Sequence, residues 1–417
     1  MCSTMSITTP VVFVIFIIVK VVNGEGCLFN YTNIPGETTL PVPLYNFTSR
    51  YELIVPDHGI LKLRTNEEIT LICPGVRNYF TNFYSRNSNI TSVTCVDGNT
   101  VKIHRNEEHF QDIRCKKSVK GDVLKTSHKC SNGYGKIYKI GYQIKRTNFI
   151  SLITLCHVSP IGTTLYTEHV VDGKNLKYSS FSLRPDFSTD GLNVSIPASL
   201  SYKKVAQKSM FSKLLNSSIL AGHYINENSF LARGHLTPQA DFLLASSQYS
   251  TYFYINVAPQ WQTINNGNWK SVESVVRTLS RTYGDLTVYT GTHDILTYEN
   301  NHRIETRIYL ALNEILPVPK YFWKIAYDPK SRKGIAFVIK NDPFTEISNN
   351  FCTDICTTAG YRNSAWKSRS GGYVWCCDVK EFRNIVHIPP LILSGNGILT
   401  NNLFKLAKAL FTQNDNQ

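Results

Sequence analysis

Residues 230–242, FLARGHLTPQADF, set Arg233 two positions before His235, across a single glycine. Residues 254–273, YINVAPQWQTINNGNWKSVE, add Asn256, Asn265 and Glu273. An imidazole titrates near neutral pH and can take a proton from water. A guanidinium offers a planar donor fork that suits phosphate. Amide and carboxylate oxygens are what a hard cation such as Mg²⁺ prefers, and Mg²⁺ keeps much of its own water, so one protein ligand can suffice. Base, cationic donor and metal are together what hydrolysis of a phosphodiester uses. Each residue also has a plainer use. A histidine beside glycine is commonly a turn or core residue. Asn265-Asn266-Gly267 is an ordinary turn able to cap the helix that follows, and Arg233 and Glu273 suit a solvated surface. Spacing by itself leaves both readings open.

These residues must be held by regular elements. The run Ser250–Val257, STYFYINV, is aromatic and β-branched and predicts a strand. Trp269, Val272, Val275, Val276 and Leu279 recur at three- and four-residue spacing, which predicts a helix with one apolar face, ended by Gly284. Leu286–Tyr289 and Gly334–Ile339 read as buried strands. The candidate chemistry would thus sit on a strand, a loop and a helix packed together. Toward the amino terminus, Tyr51–Val55, Ile69–Ile72 and Ser92–Val96 are strand-like, with a turn at Asp97-Gly98-Asn99. Composition divides the 417 residues near 160–185, with no internal repeat. We expect a β-rich module at 25–160, with no catalytic constellation of its own, and a mixed α+β domain at 161–417. His104, His109 and His128 in the module read as surface or structural residues.

The first residues carry an apolar run, Val11–Val19, too short to span a bilayer. Asn23 and Gly24 follow, so residues 1–24 predict a secretory signal peptide, although its charged leading segment is missing. Beyond Cys2 ten cysteines remain, six before residue 160 and four after 350. An even count in an exported chain predicts disulfides in separate regional sets, with connectivity open. Zinc is the competing use, but adjacent Cys376 and Cys377 match its usual spacing poorly. Sequons at Asn30, Asn46, Asn89, Asn193 and Asn216 agree with a secreted glycoprotein. The net charge is +14, one fewer once Lys20 leaves with the signal. Such a surface attracts polyanions: nucleic acid, heparin-like glycans or anionic membranes. Charge does not choose among them. No stable membrane association is expected.

The two segments resemble the signature of the DNA/RNA non-specific endonucleases, the ββα-metal or His-Me finger nucleases. That pattern runs D-R-G-H, then N-x-x-P-Q, then N-x-G-x-W-x-x-x-E. Arg233-Gly234-His235 matches the first element, Asn256 to Gln260 the second, and Asn265 to Glu273 the third. The wording is similar to the secreted arthropod branch, which includes insect double-stranded ribonucleases. The likeness extends over nearly the whole chain beyond the signal, and its specific part is residues 230–273.

The resemblance implies an α+β fold in which a ββα-metal core of mixed or antiparallel sheets and packed helices follows a small disulfide-linked β module. It implies His235 as general base, Asn265 as holder of hydrated Mg²⁺, or Mn²⁺ in its place, and Glu273 as the helix carboxylate that organises metal-bound water. It implies Arg233 as the cation that steadies phosphate, Asn256 as a supporting polar group, and Arg184 as a further phosphate contact. The implied activity is metal-dependent hydrolysis of DNA and RNA, duplexes included, with little sequence preference. One departure stands out: Ala232 replaces the pattern's leading Asp, which bears on how His235 is oriented. The alternative function is an extracellular nucleic-acid-binding protein of the same fold with low turnover.

Overall fold

The computed structural model describes residues 26–31, 37–48, 50–81, 88–145, 148–178, 184–386 and 397–401. The expected signal peptide lies outside them. Among the described residues no helix is long and apolar enough to cross a membrane. The architecture is α+β.

Two antiparallel sheets organise the chain. The smaller has six strands in the order Arg50–Leu53, Val42–Phe47, Glu68–Ile72, Ile90–Asp97, Thr100–Ile103 and Asn106–His109. Its inward residues, among them Val42, Leu44, Leu71, Val93 and Val101, form one core that also takes in Tyr142 and Leu244 from the larger part of the chain. Bridges Cys27–Cys95 and Cys73–Cys115 staple this module.

The larger sheet has eight strands. Their order is Val374–Cys377, Lys333–Lys340, Pro319–Asp328, Leu286–Ile295, Thr163–Val171, Asn148–Val158, Gly135–Lys145 and Asp122–Cys130. This corrects the expected boundary at residue 160. The three strands between Asp122 and Val158 pair onward into Thr163–Val171 and so belong to the large sheet. Short connections joined those strands in sequence to the β-rich half, but hydrogen bonding continues across residue 160. The sheet separates two apolar layers. One contains Trp261, Trp269, Val272, Val276, Leu279, Phe322 and Phe337. The other packs Trp323, Ile325, Val338 and Trp375 against Phe382.

All ten cysteines beyond Cys2 are bridged in regional sets, as expected. The remaining pairs are Cys130–Cys156, Cys352–Cys377 and Cys356–Cys376. Asp354 lies close to the sulfurs of Cys356 and Cys376, but those two sulfurs are bonded to each other, which removes the zinc reading.

The expected strand at Ser250–Val257 is not formed. Its first half is a run of tight turns, Tyr254–Asn256 is a single 3₁₀ turn, and the strand starts only at Val257. Local side-chain bonds win over β-propensity here. Ser250 Oγ donates to Ser246 O at 2.7 Å and Thr251 Oγ1 to Gln248 O at 2.8 Å, which curls the chain back on the short helix Ala245–Tyr249. The aromatic rings then serve separate neighbours: Tyr252 reaches His235, Phe253 packs with Tyr138 and Ile255, and Tyr254 reaches Arg233.

Candidate active site

The candidate residues sit on two strands and a helix. Strand β1, Leu231–His235, pairs antiparallel with β2, Val257–Trp261, with His235 opposite Val257 and Arg233 opposite Pro259. A helical turn at Gln262–Ile264 and a wider one at Asn265–Trp269 lead into helix α1, Lys270–Tyr283. Helix α1 buries Val272, Val276 and Leu279 and stops at Gly284, whose φ of 92° favours glycine. The periodicity located this helix correctly.

The order Arg-Gly-His has a packing reason. A Cβ on Gly234 would lie 2.5 Å from Gln260 Oε1 and 2.7 Å from Gln260 Cβ. Gln260 is fully buried, and neither of its amide atoms has a partner among the described residues. Only glycine lets β2 lie this close to β1.

His235 is half-buried between the rings of Phe187 and Tyr252, with centroids 5.2 and 5.1 Å away. Its Nε2 is shielded from solvent and has no hydrogen-bond partner among the described residues. Burial, helped by the nearby charge of Arg184, lowers its pKa to about 4. The imidazole is therefore neutral at ordinary pH, the form that accepts a proton. Arg184 itself is exposed, and its charge also reaches Tyr252, so the structure brings it to the site.

Arg233 is caged by aromatic rings. Its guanidinium carbon stands 5.3–5.5 Å from the centroids of Phe187, Tyr202 and Tyr254, and its Nε donates to Tyr254 Oη at 3.2 Å. The rings fix the arm and leave the outer nitrogens of the fork for an anion.

Asn256 has a different duty. It is fully buried, accepts from Thr237 N at 3.0 Å and donates to Thr237 O and Thr251 O, each at 2.9 Å. Its amide is fully committed to pinning the chain two residues after His235. It is a positioning residue.

Asn265 begins the wide turn that leads into α1, and Glu273 lies in the first turn of α1 itself. The Asn265 side chain is half-buried and makes no hydrogen bond among the described residues. Glu273 is also half-buried. Burial raises its pKa to about 7, against the pull of Lys324 and Arg277. An uncommitted amide oxygen and a carboxylate form a donor set that fits a hard cation such as Mg²⁺.

Beneath these residues lies a buried charge cluster that sequence reasoning did not anticipate. Asp241 Oδ2 accepts from His169 Nε2 at 2.9 Å, and Asp241 Oδ1 accepts from Arg277 Nη1 at 3.0 Å. Burial opposes the Asp241 charge, but His169 and Arg277 outweigh it and keep its pKa below the usual value. Lys324 is fully buried, and burial lowers its pKa against the opposing pull of Glu273 and Asp241. Its Nζ donates to Leu236 O at 3.3 Å and to Thr290 Oγ1, and stands 5.4 Å from the centroid of Trp269. One buried cation thus touches the residue after His235 and the residue before α1. Two signals could have revealed the cluster. Arg277 is four residues after Glu273 and shares its helix face. Lys324 occupies an inward position of the apolar strand YFWKIAY.

The disulfide-linked segment 352–377 braces the loop before α1. Asn268 Nδ2 donates to Ala365 O and Gly372 O, each at 2.7 Å, and Asn268 N to Gly371 O at 3.2 Å. Ser271 Oγ accepts from Trp366 Nε1 at 3.0 Å and Asn363 Nδ2 at 3.1 Å.

Two strands and a helix thus carry, on one ββα unit, a neutral histidine, a caged arginine and an uncommitted carboxamide. The family model for DNA/RNA non-specific endonucleases matches residues 133–382. A salivary endonuclease of Lutzomyia longipalpis is 30% identical over 95% of this chain and 92% of its own length. Salivary protein Tsal1 of Glossina morsitans morsitans is 26% identical over 85% of this chain and 88% of its own. A salivary endonuclease of Culex quinquefasciatus is 22% identical, covering 89% and 92%. The chain belongs to the DNA/RNA non-specific endonuclease family, whose members depend on a metal.

Proposed function

We propose that this chain is an exported, Mg²⁺-dependent endonuclease that hydrolyses DNA and RNA, duplexes included, with little regard for sequence. The observation that supports it most is the neutral, unpartnered imidazole of His235 on the same ββα unit as the free carboxamide of Asn265. His235 takes the proton from the attacking water. Arg233, held rigid by its rings, pairs with a phosphate oxygen, and Arg184 supplies a second positive charge on the open side. Asn265 would hold the cation, with Glu273 orienting its water shell. A bound Mg²⁺ supplies charge neutralisation at the leaving oxygen. Asn256, Lys324 and Asp241 keep these groups in register and touch no substrate. Nothing in the set reads a base edge, so phosphate contacts would position the substrate without specifying sequence. The salivary setting named for the relatives, with ten bridged cysteines, supports export.

The test is cleavage of supercoiled plasmid and of duplex RNA by the purified protein. Both should be cut in Mg²⁺ and neither in EDTA. His235→Ala should lose about 10²–10⁴-fold in rate, the usual contribution of a general base. It should still bind both nucleic acids. Rates that survive the substitution would exclude His235 as the base. A wild-type protein that binds but does not cut would favour the low-turnover binder.

A further inference from the structure

The chain's positive charge is unevenly spread. Residues 114–146 contain ten Lys and Arg and a single acid, Asp122. Much of this charge falls on the edge hairpin of the large sheet, Asp122–Cys130 with Gly135–Lys145. Lys120, Lys125, Lys129 and Lys136 are all exposed, and none is in an ion pair among the described residues. Tyr134, at the hairpin tip, is 65% exposed. The Cys130–Cys156 bridge ties this edge to the third strand in and keeps it rigid.

Sheet register places the hairpin relative to the site. Lys125, Tyr138, Leu155, Thr167, Thr290 and Lys324 are successive cross-strand neighbours and so line one face. That face carries the ββα unit, because Thr167 Oγ1 accepts from Thr237 Oγ1 at 2.9 Å and Lys324 donates to Leu236 O. Lys129 pairs with Lys136, which pairs with His157, whose Nδ1 lies 2.9 Å from Thr164 Oγ1. Thr164 Oγ1 in turn donates to Ile255 O, on the same side. Packed contacts link this edge of the sheet to the site. Lys120 Nζ stands 5.7 Å from the Phe253 ring centroid, Gly121 N donates to Ser250 Oγ at 2.8 Å, and Tyr252 packs on His235.

We infer that the edge hairpin, through Lys125, Lys129 and Lys136, is an accessory site for the phosphate backbone of a nucleic-acid duplex whose scissile bond lies at His235. This rests on the nuclease reading above. Three strand spacings separate the hairpin edge from the Thr167 strand, about 14 Å. A duplex carries one charge per ~1.7 Å of axis, so that interval holds about eight phosphates. One duplex can therefore lie on His235 and on the lysines together, whereas a dinucleotide cannot. The role is to hold long duplexes, without sequence preference, while the site cuts.

The triple variant Lys125→Gln/Lys129→Gln/Lys136→Gln tests this against a control of equal charge loss, Lys330→Gln/Arg332→Gln/Lys333→Gln, on a distant turn. Binding of a 30-base-pair duplex is followed by fluorescence anisotropy in EDTA across salt concentrations. Each lost contact lowers the log–log salt slope by about 0.9 on B-form DNA, so the triple variant should lose ~2–3. In Mg²⁺ its KM for long duplex should rise about tenfold or more, with turnover of a dinucleotide-sized chromogenic phosphodiester unchanged, which also reports an intact fold. An unchanged slope, or an equal drop in the control, overturns the inference. So does selective loss of heparin binding with duplex binding intact, which would assign the patch to an anionic glycan. Failure of the wild type to cut either substrate would overturn the nuclease reading, while the anisotropy slope would still decide on the hairpin.

Discussion

Gly234→Ala puts the close approach of the two site strands to a quantitative test. The new methyl would lie 2.7 Å from Gln260 Cβ and 2.5 Å from Gln260 Oε1, where ordinary contact begins at 3.4 Å. The Oε1 contact can be relieved by turning the amide. The Cβ contact cannot, because it is fixed by the backbone of β2. The strands must therefore part by about 0.7 Å beside His235. Overpacking of this kind costs ~1–3 kcal/mol of stability. Displacement of a catalytic group by about 1 Å can cost ~10²-fold in rate. We expect kcat/KM on plasmid DNA to fall about 10²-fold, with the melting temperature lowered by only a few degrees. The double variant Gly234→Ala/Gln260→Gly removes the obstructing Cβ together with the amide, so it should recover much of the rate. A Gly234→Ala enzyme within threefold of wild type would show that the strands yield freely and refute the reasoning. So would a double variant no faster than the single.

Two further outcomes follow from the buried groups. Lys324→Met removes the donor to Leu236 O and Thr290 Oγ1, which should cost ~1–3 kcal/mol in urea unfolding and lower kcat more than it raises KM. A variant equal to wild type in both would deny Lys324 its bracing role. The pH response has a definite sign. Burial lowers His157 from 6.5 to about 4, so the unfolded chain binds the extra proton first. The neutral form's contribution is complete above pH 6.5 and is lost as pH falls toward 4, by about 3 kcal/mol. Unfolding free energies of wild type and His157→Gln at pH 7.5, 6 and 5 isolate that loss from those of His235 and His169, which burial also lowers. His235 is depressed in the same way, so in a Glu273→Gln background, which removes the carboxylate that burial raises to about 7, kcat/KM should stay level down to about pH 6 and decline only toward 4–5. An activity limb centred near pH 7 that persists in Glu273→Gln would contradict a neutral base at His235.

Much of the site was legible because it is written locally. Asn265 to Glu273 is nine residues of one turn and helix, and α1 shows its buried face as a three- and four-residue rhythm. The Ser250–Val257 run misled because β-branched and aromatic content measures fitness for a half-buried surface, and these rings fit three separate surfaces around a coil of hydroxyl bonds. Asn256 matched the pattern, but only its three hydrogen bonds show it serving Thr237. Lys324 was hidden for a related reason. A lysine in an apolar strand reads as an exception until Leu236, Thr290 and Trp269 are seen around it. The edge of the amino-terminal module was illegible since both sheets share composition, and only pairing separates them.

The pattern of bridges bears on how the molecule can be made. Cys27–Cys95 and Cys73–Cys115 interleave along the chain, so a nascent polypeptide that joined each cysteine to the next one emerging would lock in the wrong partners. Cys352–Cys377 encloses Cys356–Cys376, where adjacent thiols at 376 and 377 offer a second opportunity for error. Correct maturation therefore needs thiol exchange, which attacks a misformed bridge with a free thiolate and tries again. A host compartment that supplies isomerase activity should yield active protein, while one that only oxidises should yield scrambled material of the same mass. Cysteine-specific peptide mapping of the two preparations would tell them apart.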